Sequence, residues 1–280
     1  MNNVINNLTS KTVNLLVGAM LVLVPILVPV NGYADSADDS ADTQGMLKLS
    51  YSDGRAATIG LKNVNAALGQ VGVRVSEISL PKTAAFILKT SQTRAINAEE
   101  TKELLSIFSL HRGELLDQIA KAGRQPEAHR GGFLSISEVG VAPYPKVYDM
   151  KALTPEVVIY LQEKFGKLHV NSAENGMGID EVMSIVSGGP WTWFFLLPDD
   201  VIGKLTLGYV GLDGPGWRIS YPGLVPHGGY LDPEYGLVVA YAHGPKNFVM
   251  RYEDPSVEGA ELLGTNSWID MTGKVPKLLD

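Results

Sequence analysis

The chain of 280 residues has no cysteine, which excludes thiolate catalysis, zinc-cysteine sites, iron-sulfur clusters and disulfide staples. It also lacks an excess of basic residues: 23 Lys and Arg stand against 30 Asp and Glu, for a formal net charge of -7. A nucleic-acid surface needs clustered cations, so that class of partner is excluded as well. No Gly-rich phosphate loop, no G-x-S-x-G elbow and no H-E-x-x-H pair is found, which leaves nucleotide binding, serine hydrolysis and zincin chemistry without support. Histidine is scarce, at five residues. What is abundant is apolar material, 45% of the chain, together with 30 glycines and 16 prolines, enough for a sizeable core cut by many turns.

The first 34 residues carry one charged side chain, Lys11, followed by an apolar run from Leu15 to Val30 that Gly18, Pro25 and Pro29 interrupt. That run is too short and too broken for a membrane span and suits a secretory signal segment, with Gly32 and Ala34 at the small-residue positions of a cleavage site. The expectation is export to the periplasm or the medium, with no membrane span after cleavage; an uncleaved anchor is the alternative. Residues 35–45, "DSADDSADTQG", read as an acidic solvated linker.

Residues 46–166 read as an N-terminal α/β region. "LKLSYSDGRAATIGL" alternates on both sides of Asp53-Gly54, a hairpin signal. Val71, Val73 and Val75 are expected on one strand face, and Leu104, Leu105, Phe108, Leu115, Leu116 and Ile119 at helical spacing. Thr154-Pro155 predicts a helix start, an N-cap followed by proline at the first helical position, with the end near Gly166. Between them, residues 124–148 read as a Gly- and Pro-rich loop with one short strand, "FLSISEV".

From residue 167 to 280 helix signals give way to short β-prone runs between Gly, Pro, Asp and Asn, the spacing of an antiparallel barrel or jelly roll. In "LHVN", His169 and Asn171 share a strand face opposite Leu168 and Val170. Glu181 opens "EVMSIVSG", where Met183, Ile185 and Ser187 are expected on its face; an inward carboxylate among apolar neighbours needs a cation or a hydrogen-bond partner. In "WTWFFLL", alternation separates Trp191, Trp193 and Phe195 from Thr192 and Phe194. His227 closes "GWRISYPGLVPH". Two imidazoles and one carboxylate from neighbouring strands form a ligand set for Fe(II), and also for Mn, Ni or Zn. The competing reading makes His227 a turn residue and Glu181 a solvated acid. His111 reads as a cap or surface residue between two helices, His129 as a surface-loop residue able to reach a ligand, and His243 as a hairpin position.

Six residues separate Glu181 from Gly188, and Gly216 is followed by five residues, Pro222 and then His227. Both stretches resemble the halves of the cupin metal motif. "GLVVAYAHGPKNFVMRYE" is similar to the closing strands of acireductone dioxygenases, and "ALGQVGVRVSEISL" with "LLSIFSLHRGELLDQIAKAG" to their N-terminal region. The resemblance implies a mainly β fold, a cupin-type double-stranded β-helix or jelly-roll barrel with an N-terminal α/β extension. It also implies an exported, metal-binding, dioxygenase-like oxidoreductase acting on a small oxygen-bearing substrate, by dioxygen activation or Lewis-acid chemistry. The chain departs from the pattern at three places: Asn171 stands where a second histidine belongs, nine residues instead of three precede Glu181, and Met183 replaces an arginine. The ligand set that remains is His169, Glu181 and His227, with Asn171 as a weak fourth through its amide oxygen. The alternative is a non-catalytic cupin that binds a small ligand or a partner through a hydrogen-bonded polar cluster.

Overall fold

A computed structural model of the chain describes residues 47–124, 144–244 and 248–280. The expected signal segment and linker, His129 and the strand expected at 133–139 lie outside the described residues. Among the described residues no helix is long and apolar enough to cross a membrane.

Two five-stranded antiparallel sheets carry the architecture. The first contains β1 (Leu47–Tyr51), β2 (Thr58–Ile59), β7 (Trp191–Leu197), β8 (Val201–Leu207) and β10 (His227–Tyr230), in the order β10-β7-β8-β1-β2. The second contains β3 (Arg74–Ile78), β4 (Lys146–Asp149), β6 (Asp180–Gly188), β9 (Gly216–Tyr221) and β11 (Gly236–His243), in the order β3-β9-β6-β11-β4. Two short ribbons complete the set: β5 (Val170–Ser172) with β12 (Val249–Arg251), and β13 (Ile269–Asp270) with β14 (Lys277–Leu278). The hydrogen bonding gives two antiparallel sheets, which agrees with the mainly β, cupin-like fold expected from the sequence.

The main core lies between the sheets. Leu47, Leu49, Trp193, Phe195 and Leu205 of the first meet Val75, Ile185, Trp217, Ile219 and Val238 of the second. Full burial of each large apolar side chain contributes about 1.5–3 kcal/mol. A second cluster covers the outer face of the second sheet, where Val182, Val186 and Val239 pack against α2 (Ala85–Thr90), α3 (Ala98–Ile107) and α4 (Arg112–Lys121). A third covers the outer face of the first sheet, where Phe194, Leu196 and Ile202 meet Leu168 and Ile269. The alternation expected in β7 is thus present, but both of its faces are covered, so all seven residues are buried.

The short helix and Gly72 break expected before β3 are α1 (Leu61–Leu68), a 3-10 turn and Gly72 at φ 69. Val73 and Val75 are buried, with Val75 in β3 and Val73 just before it, while Val71 belongs to the 3-10 turn. Helix α5 (Pro155–Gly166) starts where Thr154 Oγ1 accepts the Val157 N–H at 3.4 Å.

Strands of the region 46–166 enter both sheets: β1 pairs with β8, β3 with β9 and β4 with β11. One expectation is corrected. Ser187 does not share the face of Glu181, because the β6–β11 register shifts between Leu237 and Val238, leaving Val186 without a partner in the ladder. The bulge turns Ser187 outward, where its hydroxyl lies 2.8 Å from that of Ser91.

Candidate active site

The four residues expected to form a site converge. His169, Asn171, Glu181 and His227 line one cavity of about 290 Å³, and they are 4%, 2%, 3% and 2% exposed. Each comes from a different backbone device. His169, just before β5, bridges to His227, the first residue of β10, each N–H donating to the other's carbonyl at 2.9 Å, which sets the two rings 4.6 Å apart. Asn171 is held by its N–H to the Gly223 carbonyl at 2.7 Å. A side chain at 223 would run into the carbonyls of Ile179 and Asn171, so glycine there permits the close approach.

The nine residues between Asn171 and Glu181 fold back on themselves. Ser172 bridges to Gly178, the Ala173 N–H donates to Met177 at 2.8 Å, and the Ile179 N–H returns to the Asn171 carbonyl at 2.9 Å. The insertion is absorbed as a small loop and delivers Glu181 beside Asn171.

Both imidazoles are oriented in the same way. His169 Nδ1 lies 2.8 Å from the Lys167 carbonyl, and His227 Nδ1 lies 2.7 Å from the Val225 carbonyl, in each case the carbonyl two residues earlier. A carbonyl only accepts, so the network assigns the proton to Nδ1 and leaves the lone pair on Nε2. Burial, then the neighbouring His227, holds the His169 pKa well below the ordinary histidine range. A neutral ring with its Nδ1 tied to a carbonyl is the form in which histidine ligates metals.

Asn171 is the hinge of the cluster. Its Nδ2 donates to Glu181 Oε2 and to His227 Nε2, both at 2.9 Å, while those two acceptors are 3.5 Å apart. The Tyr144 hydroxyl donates to Glu181 Oε1. Tyr221, directly across from Glu181 in the β6–β9 ladder, adds a second buried phenol. Burial, with the Glu181 charge second, pushes the pKa of both Tyr144 and Tyr221 well up, so both stay protonated donors. Tyr144 and Asn171 thus give the buried Glu181 side chain hydrogen-bond donors in place of water. Asn171 Oδ1, by contrast, is buried with no hydrogen-bond partner.

Among the described residues no three His, Asp or Glu side chains alone are arranged to hold a metal ion. Including the Asn171 amide changes the test. The amide nitrogen, Glu181 Oε2 and His227 Nε2 form a triangle with edges of 2.9, 2.9 and 3.5 Å. Donors about 2.1 Å from one ion are about 3.0–3.4 Å from one another, so this triangle has the right size. The amide presents its donor end to it. Turning the amide over would place the orphaned Oδ1 at that corner and convert the set to acceptors only, which is what a cation requires.

The sequence did not point to Tyr144, Tyr221, Lys146 or Lys164, which also line the cavity. Tyr221 becomes visible only through its register with Glu181. The other three come from stretches read as a loop or as an ordinary helix end. Of the remaining histidines, His111 starts α4, its backbone N–H donating to Glu114 Oε2 at 2.7 Å. His243 ends β11 as a buried strand residue opposite Asp180, and is not in a hairpin turn.

No protein-family model and no curated protein matches the chain. A solved structure does match: acireductone dioxygenase from Bacillus anthracis with a cadmium ion in its active center, at 20% identity and a TM-score of 0.50, covering 74% of this chain and 98% of that one. The chain shares the fold of that protein. The relationship is distant, and the likeness concerns the fold.

Proposed function

We propose that the chain is an exported cupin-type enzyme, its two sheets forming a jelly-roll double-stranded β-helix, that binds a divalent cation and acts on a small oxygen-bearing molecule in the cavity. His169, Glu181 and His227 hold the cation, with the Asn171 amide oxygen as the fourth donor. The observation that carries this reading is the buried, partnerless Asn171 Oδ1 beside two imidazoles whose Nε2 atoms keep their lone pairs. A full hydrogen-bonded cluster would leave no such atom. The cadmium-bearing neighbour and the shared fold support a divalent ion; Fe(II) leads, with Mn, Ni and Zn next. Export rests on the apolar run 15–30 behind Lys11.

When bound, such a cation supplies Lewis-acid polarisation of a substrate oxygen or, as Fe(II), a site for dioxygen. The chain's own groups do the rest. Lys167 and Val225 carbonyls fix the two imidazoles, Tyr144 holds a proton against Glu181 Oε1, and Trp191, Trp193 and Phe248 exclude water from the cavity.

The second reading, a non-catalytic binding cupin, is favoured by one observation: Asn171 already bridges Glu181 and His227. Metal analysis of tag-free protein separates the two. The enzyme reading expects about one divalent ion per chain in the wild type and none in His227→Ala. Absence of metal from both, with unchanged folding, favours the second.

A further inference from the structure

The cavity holds two cations that the cluster above does not use. Lys146, at the start of β4, and Lys164, in the last turn of α5, both line it. Among the described residues neither ammonium has a carboxylate within 4.0 Å. Their recorded partners are aromatic: Lys146 Nζ lies 4.5 Å from the Tyr148 ring centre and Lys164 Nζ 5.9 Å from that of Tyr160. They are also near each other and near the site. Both line the cavity that His169 lines, and Lys164 lowers the pKa of Lys146, after burial. The carboxylate lining the cavity is Glu181, already engaged by Tyr144 and Asn171. In a protein of net charge -7, two ammonium groups gathered at one cavity, with no counter-ion among the described residues, repel each other until an anion joins them.

We infer that Lys146 and Lys164 seat the carboxylate of a small organic acid whose apolar body lies against Trp191, Trp193 and Phe248. Two ammonium groups suit an anionic end, the aromatic walls suit an apolar remainder, and the polar cluster receives an oxygen. The inference rests on the cavity being the substrate site, as proposed above, but does not need the cation.

The test is a titration of the full chain with 3-phenylpropionate and with its neutral twin, 3-phenyl-1-propanol, followed by tryptophan fluorescence, in untreated and chelator-stripped protein. The wild type should bind the carboxylate more tightly than the alcohol, with an affinity that falls as salt rises. The double variant Lys146→Met, Lys164→Met should lose about tenfold for the carboxylate and nothing for the alcohol. Lys146→Arg, Lys164→Arg should retain the preference, and its thermal midpoint checks that the fold is intact. Equal affinity for the two probes, an equal loss of both in the Met variant, or binding of neither overturns the inference. Charge preference in stripped protein that never held metal leaves this inference standing while the metal reading fails; metal bound normally without charge preference does the reverse.

Discussion

Among the described residues, two asparagine–glutamate pairs are finished differently. At the start of α3, Asn97 Oδ1 accepts the Glu100 N–H at 2.9 Å, and Glu100 Oε2 accepts the Asn97 N–H at 2.8 Å. Arg94 closes the carboxylate with contacts of 2.7 and 2.8 Å. Both carboxylate oxygens and the amide oxygen are satisfied, which is what a helix start needs from a capping box. In the cavity, Asn171 also serves its glutamate, but through Nδ2, and its Oδ1 is left buried without a partner. Burial of an unpaired oxygen costs about 1–3 kcal/mol. The contrast separates a polar cluster that completes itself at a helix start from one that leaves an oxygen free at the cavity, where the proposed ligand would enter.

The sharpest way to break that contrast is at Gly223. Gly223→Ala puts a methyl group on the carbonyls of Ile179 and Asn171, and should destabilise the protein by about 3 kcal/mol in chemical denaturation while displacing Asn171 and abolishing metal binding. A similar loss of stability with metal binding intact would mean that Asn171 has no part in the site. Next in size, Asn171→Ala should cost about 1–3 kcal/mol, because Glu181 and His227 lose a shared donor, and should weaken divalent-ion binding at least tenfold. Asn97→Ala, the control at the finished cluster, should cost about 1 kcal/mol and leave metal content as it was.

The smallest effect is a pH dependence. The Arg94 hydrogen bond, helped by the Asn97 N–H, lowers the Glu100 pKa from 4.5 to about 2. A carboxylate depressed on folding stabilises above its unfolded pKa, and that contribution disappears as pH falls through the folded value. Denaturation of wild type and Glu100→Gln should therefore differ by a constant amount above about pH 5 and converge toward pH 2. A difference that grows on acidification would contradict the assignment.

Much of this arrangement was legible in the chain. Strand alternation placed His169 and Asn171 on one face, and the apolar partners Met183 and Ile185 turned Glu181 inward. Local rules also found α5, through Thr154 and Pro155. The remainder was hidden because it is non-local. Interleaving of β1, β3 and β4 with later strands depends on pairings more than 70 residues apart in sequence, which no local pattern encodes. The bulge that turns Ser187 outward breaks the period of two on which its placement relied. Lys146 and Lys164 belong to an edge strand and a helix end, and meet at one cavity only after both have folded.

The most direct measurement is a calorimetric titration of Mn(II) into chelator-stripped full-length protein, alongside Glu181→Gln, which keeps the shape of the side chain but removes its charge. The account predicts one saturable site per chain in the wild type and its loss in the variant. No site in the wild type, or a site of equal affinity in Glu181→Gln, would contradict it.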